Sequence, residues 1–224
     1  MSVWKILLLV LGVILVVGGL AVAIGGGAAL WANSALTDDE GYITTETIRI
    51  DKDSHAIVSE PTDIEVGSWG VWDWGDLVTF KIEGSNDDSS KNIFLGVAEE
   101  RDLKGYFSDV NYDEVTDLEI NPDRLEYRNH PGSSEPAAPI TQSFWLEFVN
   151  GPGTQILKWE LQPGAWSLVL MNEDGSAGVD ASVVLGVKIP WLLGAGVGLL
   201  VGGILVLLLG ASLIVISVLR TPRS

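Results

Sequence analysis

Acidic and amide side chains are the groups of this sequence best suited to chemistry, and their spacing first suggests calcium binding. Asp109, Asn111 and Asp113 alternate as oxygen ligands do at the start of a calcium loop. The sixth position of such a loop is Glu114, where a glycine is needed, and the twelfth is Ile120, where a carboxylate is needed. The segment is therefore not an EF-hand. Its three residues remain candidates for another kind of calcium site, with solvated turn residues as the alternative.

The motifs of familiar enzymes and cofactor proteins do not occur in the sequence. The only histidines are His55 and His130, far apart along the chain, and there is no cysteine to bind a metal or form a disulfide. No serine elbow, zinc-binding helix, P-loop or dinucleotide fingerprint is present. We therefore expect no catalytic residue, no firm metal site and no cofactor other than a structural calcium ion. Further oxygen ligands for calcium could come from 172–174 or from 87–88.

Tryptophans mark the best candidate binding segment, Ser68 to Gly75, which reads SWGVWDWG. In an extended segment Trp72 and Trp74 share one side and Trp69 takes the other. Clustered indoles can stack on sugar rings or insert into a protein interface, because they are flat and amphipathic. We predict that Trp69, Trp72 and Trp74 recognise a partner; the alternative is that they fill the core or rest on the membrane-proximal end of the domain.

Charge is strongly segregated along the chain. The net charge is −17, and every Asp and Glu lies between Asp38 and Asp180. Nucleic-acid binders carry basic patches, and polybasic segments are what dock on anionic lipid headgroups, so the acidic balance argues against both partners.

Two long uncharged segments, Ile6 to Leu30 and Ile189 to Leu219, enclose the acidic part. About 20 helical residues suffice to cross a bilayer core of about 30 Å. We predict a transmembrane signal anchor over 1–32, an extracytoplasmic domain over 33–188, a second transmembrane helix over 189–219 and a cytoplasmic tail over 220–224. Cleavage before Ala35 is the alternative for the first segment, since small residues precede it.

Basic residues orient this arrangement. Lys5 flanks the first apolar segment, and Arg220 and Arg223 follow the second. The positive-inside rule then places both termini in the cytoplasm and residues 33–188 outside, as in a multi-pass protein of the cell membrane.

Small residues recur at four-residue spacing in both apolar segments, which allows helix backbones to approach closely. They are Ala21, Gly25 and Ala29 in the first segment and Gly194, Gly198 and Gly202 in the second. We predict that the two helices pack on each other through these residues. The alternative is a contact with a second copy of the chain or with another membrane protein.

Alternating apolar residues in the acidic part predict nine or ten short strands and one short helix, at Ala98 to Ser108. The first strand is expected at Tyr42 to Ile50. Leu77 to Glu83 alternates with Lys81 facing solvent, and Ser143 to Val149 alternates with three apolar residues on one face. Those three are Phe144, Leu146 and Phe148. The pattern indicates a β-sandwich or jelly-roll-like domain, and with the two helices an α+β membrane protein.

Several blocks of sequence carry a family resemblance, among them GYITTETIRI, NIFLGVAEERDLKGYFSDVNYDEV and FVNGPGTQILKWELQPGAWSLVLMNEDGSAGV. They resemble a family of uncharacterised prokaryotic two-pass membrane proteins. The resemblance implies an extracytoplasmic β-rich domain between two membrane helices. It implies no assigned activity and no catalytic residue.

The function best suited to these features is that of a membrane-anchored accessory protein that binds another envelope protein or a polymer. The expected partners are the lipid bilayer, an envelope or membrane protein and a second copy of the chain, but no nucleic acid. A ligand- or glycan-sensing domain that signals through a membrane partner is the alternative. An envelope hydrolase is the third.

Overall fold

A computed structural model describes residues 3–64, 78–118 and 125–219, which form two units. The helical unit contains α1 (Val3–Leu36) and α3 (Pro190–Leu219). The second unit, 38–189, holds the strands and two short helical segments. Its elements in chain order are β1 (Ile43–Thr44), β2 (Ile48–Lys52), β3 (Ala56–Ser59), β4 (Thr62–Ile64), β5 (Thr79–Asn86), β6 (Ile93–Glu99), α2 (Glu100–Tyr106), β7 (Tyr112–Leu118), β8 (Leu125–His130), a 3₁₀ turn (Pro139–Thr141), β9 (Glu147–Gly151), β10 (Gln155–Glu160), β11 (Gly164–Asn172) and β12 (Val179–Lys188).

The two long helices are each long and apolar enough to cross a membrane. Their only described charge is Lys5, near the start of α1. The fold class expected from the sequence, α+β with an apolar helix at each end of a β-rich region, is confirmed.

Within the helical unit α1 and α3 pack against each other, mainly through small residues other than those predicted. The buried glycines are spaced by seven, not four: Gly12, Gly19 and Gly26 face Gly210, Gly203 and Gly196. A Cβ atom built on Gly203 would lie 2.4 Å from the backbone nitrogen of Ala23, so the two backbones touch. Of the predicted residues, Gly25, Gly194, Gly198 and Gly202 have nothing within 4 Å of such an atom. The two helices therefore contact each other, but mainly through glycines at seven-residue spacing; of the predicted residues, Ala29 lies at this contact, its Cβ 3.6 Å from a Cβ built on Gly196.

The strands of the second unit form two sheets. The smaller sheet has the order β1-β12-β5-β10, and β2 also pairs with β12. The larger sheet has the order β8-β7-β3-β11-β6-β9, and β4 also pairs with β11. All described pairs are antiparallel except β3 with β7.

An aliphatic core lies between the sheets. Its buried members are branched residues on inward positions of both sheets, which suit a pleated surface. They include Ile82, Ile93, Leu95, Leu157, Leu170 and Val183.

A second, aromatic core covers the other face of the larger sheet. Phe94 is fully buried there and lies 4.8 Å from Trp145, ring centre to ring centre. The helix α2 contributes Leu103, and Phe107 follows it, so the predicted short helix is confirmed. The larger sheet is therefore covered on both sides.

Three predictions about strands are wrong in detail. The first strand is broken between Thr44 and Ile48. The segment before β9 crosses the aromatic core after a 3₁₀ turn instead of pairing from Ser143, which breaks the two-residue alternation. As a result Trp145 is buried, whereas Phe148 is 43% exposed. Lys81, expected to face solvent, is only 5% exposed.

Candidate functional site

A groove lies where the loops at one end of the sandwich meet, and we call it the loop-end groove. It encloses about 370 Å³ between the β5–β6 loop, the 3₁₀ turn and the β11–β12 loop. That volume falls within the roughly 300–1,000 Å³ of small-ligand sites. Its lining combines carboxylate, amide, hydroxyl, ammonium and aliphatic groups: Ser90, Lys91, Asn92, Ala138, Ile140, Glu173 and Asp174.

Register brings the polar parts of the groove together. Ile93 of β6 pairs with Asn172 of β11 on one side and with Gly151 of β9 on the other. The residues next to these positions, Asn92 and Glu173, therefore meet at the ends of neighbouring strands.

Asn172 holds the β11–β12 loop in shape. It is 1% exposed, and its Nδ2 donates to the carbonyl oxygens of Ser176 at 2.9 Å and Gly178 at 3.1 Å. Its Oδ1 accepts a hydrogen bond from Asn86 at 2.8 Å. Gly175 and Gly178 have φ of 77° and 79°, which side chains disfavour, so the tight loop depends on glycine. A buried amide with its donors and acceptor satisfied makes a loop rigid.

Asp174 adds a local turn to the same loop. Its Oδ1 accepts the backbone N–H of Ser176 at 2.9 Å, and this hydrogen bond holds the pKa of Asp174 below its usual value. The carboxylate is therefore ionised at neutral pH and exposed at the groove.

Lys91 joins the β5–β6 loop to the β11–β12 loop. Its Nζ donates to the carbonyl oxygens of Ala177 at 2.9 Å and Gly178 at 3.2 Å. An ammonium has three donors, so one N–H remains after these two bonds. Among the described residues no carboxylate lies within 4.0 Å of this ammonium.

Glu173 is held by amides instead of cations. Its Oε2 accepts from Asn92 Nδ2 at 2.6 Å, and its Oε1 accepts from Asn150 Nδ2 at 2.5 Å. Asn92 is exposed and lines the groove, and no described residue donates to its Oδ1. The groove thus offers acceptors at fixed positions beside the free N–H of Lys91.

The third wall of the groove is aliphatic and is anchored on the aromatic core. Ile140 is 45% exposed, and its neighbour Pro139 is buried and accepts the indole N–H of Trp145 at 2.8 Å. Tyr106 donates its hydroxyl to the carbonyl oxygen of Ala137 at 2.5 Å. Burial raises the pKa of Tyr106 to about 12, so this hydroxyl keeps its proton at any physiological pH.

A second cavity, between the two sheets, is of a different kind. It holds about 60 Å³ and is lined by core aliphatic residues with Ser59 as the one hydroxyl in its described lining. An apolar cavity gives water too few hydrogen-bond partners and stays dry. The loop-end groove is therefore the better candidate for recognition.

The predicted tryptophans Trp69, Trp72 and Trp74 lie outside the described residues, and their role stays a prediction.

The structure describes the calcium candidates Asp109, Asn111 and Asp113. Asp109 accepts hydrogen bonds from the hydroxyls of Ser133 and Ser134, which lower its pKa. Asn111 and Asp113 instead both accept from the amide of Asn129.

A metal centre built from acidic or histidine side chains is not present in the described part of the chain, where no three such groups come together. The histidines take structural partners there. His55 donates Nδ1–H to the carbonyl oxygen of Gly175, and His130 bonds to Glu114 at 2.8 Å while stacking on Tyr112. Neither imidazole is hydrogen-bonded to a described Ser or Thr hydroxyl.

Most residues of the groove were not predicted. The sequence marks Glu173 and Asp174 only as possible calcium ligands, and it gives no functional signal for Asn92, Lys91 and Ile140. Only the pairing of β6 with β11 and β9 brings them together, and pairing of distant strands is not readable from one sequence.

Comparison of the sequence with protein-family models finds no match, and comparison with curated proteins finds none either. Neither an enzyme family nor a catalytic relative is therefore identified. The arrangement of the chain, two apolar helices flanking a β-rich region, is compatible with the two-pass membrane proteins it resembles.

Proposed function

We propose that the protein is a membrane-anchored, non-enzymatic binding protein of the cell envelope, in which the sandwich holds an envelope protein or polymer at the loop-end groove. The observation that carries the proposal is the groove itself. Its polar walls are fixed in advance by buried Asn172 and by the two amides on Glu173. A site whose side chains are already ordered binds without the entropic cost of ordering them.

The proposed location follows from charge and apolar length. Helices α1 and α3 each exceed the length that a bilayer requires. With Lys5, Arg220 and Arg223 on the cytoplasmic side, the sandwich lies outside the membrane, where envelope proteins and polymers are accessible. Membership of the two-pass family that the sequence resembles is part of the same proposal.

A site-specific photo-cross-linker tests the function. We would place it at Ile140 in the groove and, as a matched control, at Ile156 on the outer face of β10. The two isoleucines are 45% and 48% exposed, so they are equally accessible to chance collisions. In membranes of the source organism, the full-length protein should form a discrete adduct from position 140 and not from position 156.

Equal adducts at both positions, or none at position 140, would overturn the proposal. A discrete adduct at position 140 would support it whether the partner is a protein or a polymer. Digestion with proteases or with glycosidases then identifies which kind of partner it is.

A further inference from the structure

We infer that the loop-end groove binds a neutral, hydroxyl-rich saccharide unit. This inference rests on the proposed function, since it names the class of partner that the same groove takes. A sugar hydroxyl both donates and accepts a hydrogen bond, so it needs acceptors and donors side by side. The groove provides them from groups that the fold has already positioned.

The acceptors are on two neighbouring strand ends. Asn92 donates its amide N–H to Glu173 at 2.6 Å, which leaves its Oδ1 without a partner among the described residues. Asp174 uses Oδ1 for the N–H of Ser176, and its carboxylate is exposed at the groove with lone pairs left to accept further hydrogen bonds. These oxygens can accept from sugar hydroxyls without rearrangement of the loops.

The donor is Lys91. Two of its N–H groups are used on carbonyl oxygens of the β11–β12 loop, and the third can donate to a hydroxyl oxygen. The bonds to Ala177 and Gly178 hold the ammonium in place, which suits a fixed ligand geometry better than a free lysine would.

The aliphatic wall matches the other surface of a sugar ring. Sugars carry C–H groups on their ring faces, and Ile140, exposed but anchored beside buried Pro139, gives these groups an apolar surface. A mostly charged ligand would not need this wall. Two carboxylates against one ammonium also disfavour acidic sugars, because like charges repel at short range.

Binding of defined oligosaccharides to the full-length protein in nanodiscs tests the inference. Saturation-transfer NMR and calorimetry would use maltotetraose, mannotetraose and chitotetraose as neutral probes, with tetragalacturonate as the acidic one. At least one neutral probe should bind and tetragalacturonate should not. The Ile140→Ala variant should weaken binding about tenfold, a loss of about 1.4 kcal/mol, whereas Ile156→Ala should leave it unchanged.

A second variant tests the same groove without changing the 3₁₀ turn, in case Ile140→Ala disturbs that turn. Asp174→Asn retains the oxygen that accepts the Ser176 N–H but removes the charge, so the loop stays folded while sugar binding weakens. Failure of every neutral probe to bind, preference for tetragalacturonate, or binding that neither variant changes would overturn the inference.

The two proposals can fail separately. If a photo-cross-linker at position 140 gives a protease-sensitive adduct while no neutral probe binds, the groove takes a polypeptide. The proposed function would then stand and the saccharide inference would be wrong.

Discussion

The ammonium of Lys188 lies 5.4 Å from the centre of the Tyr42 ring, so the last residue of β12 meets the residue that precedes β1. The same ring has the ammonium groups of Lys81 at 4.8 Å and Lys158 at 5.8 Å. Tyr42 is only 4% exposed, and lysines placed over an aromatic face are attracted to it. We call this group of four residues the Tyr42 clasp. It holds together the start of the sandwich, before β1, and its end, at the last residue of β12.

Carboxylates pair with two of the lysines of the Tyr42 clasp. Lys81 Nζ lies 2.6 Å from Asp38 and 3.1 Å from Glu83, and Lys158 Nζ lies 2.9 Å from Glu40. The buried ammonium of Lys81 is therefore paired and hydrogen-bonded, as a charge in a protein interior must be. The clasp is held by opposite charges that come from the chain before β1 and from the smaller sheet.

Replacing Lys81 by Met should destabilise the sandwich by about 1.5–3 kcal/mol, because hydrogen bonds to charged groups are lost and two carboxylates are left without a cation. Chemical denaturation of the full-length protein, followed by tryptophan fluorescence, measures the change. Lys104→Met is the matched control. Lys104 has one ion pair, with Glu100, but its side chain is 72% exposed, so its loss should leave stability unchanged. Equal effects of the two variants would contradict this account of the clasp.

The clasp should also make stability depend on pH at both extremes. The hydrogen bond from Lys81 lowers the pKa of Asp38 below 3.8, so its contribution is present above pH 3.8 and is lost as pH falls through the lowered value. Burial opposes the charge on Lys81, but Asp38 and Glu83 outweigh it and raise its pKa above 10.5. That contribution is present below pH 10.5 and is lost as pH rises further.

Asp38→Asn tests the acid side of this dependence. The stability difference between the natural protein and this variant should be constant near neutral pH and should narrow as pH falls below 3.8. Unfolding curves recorded across the pH range show the trend. If the difference in unfolding free energy instead widened in acid, the lowered pKa of Asp38 in the folded protein would be contradicted.

The Tyr42 clasp shows what the alternation pattern of a strand cannot predict, namely whether its outer face is exposed to solvent. The alternation of Leu77 to Glu83 correctly puts Lys81 on the outer face of its strand, opposite Ile82. Whether an outer face is solvated depends on what lies over it, and here the segment around Tyr42 covers it. That segment lies far away in sequence, so its contact with β5 could not be predicted from either stretch alone.

The contact between α1 and α3 shows a similar limit. Both apolar segments contain glycines at several spacings, and each spacing defines a smooth face on an isolated helix. The structure uses the seven-residue series through Gly19 and Gly203, a repeat that keeps two crossing helices in contact over their length. The face that forms the contact depends on both helices together, so the pattern within one helix cannot identify that face.

Gly203→Leu should separate the helices, whereas Gly202→Leu should not. A Cβ at Gly203 would meet the backbone of Ala23 at 2.4 Å, but one at Gly202 has nothing within 4 Å. The clash should push the helices toward the roughly 8–10 Å separation of ordinary helix pairs. Since the chain has no cysteine, spin labels on introduced cysteines at Val17 and Leu205, both exposed, report the distance. A longer distance in the Gly202→Leu variant instead would restore the four-residue prediction.

Asn172→Ala should loosen the β11–β12 loop and with it the loop-end groove. The variant leaves the carbonyl oxygens of Ser176 and Gly178 without their buried donor and Asn86 without its acceptor. Leaving buried polar groups unpaired costs about 1–3 kcal/mol, so stability should fall by that amount. Hydrogen exchange of the amides from 173 to 178 should become faster than in the natural protein.

The control variant is Asn129→Ala, because that exposed amide makes its hydrogen bonds elsewhere, at 3.1 Å to Asn111 and 3.2 Å to Asp113. Unchanged exchange at 173–178 in Asn172→Ala would show that the glycines alone shape the loop.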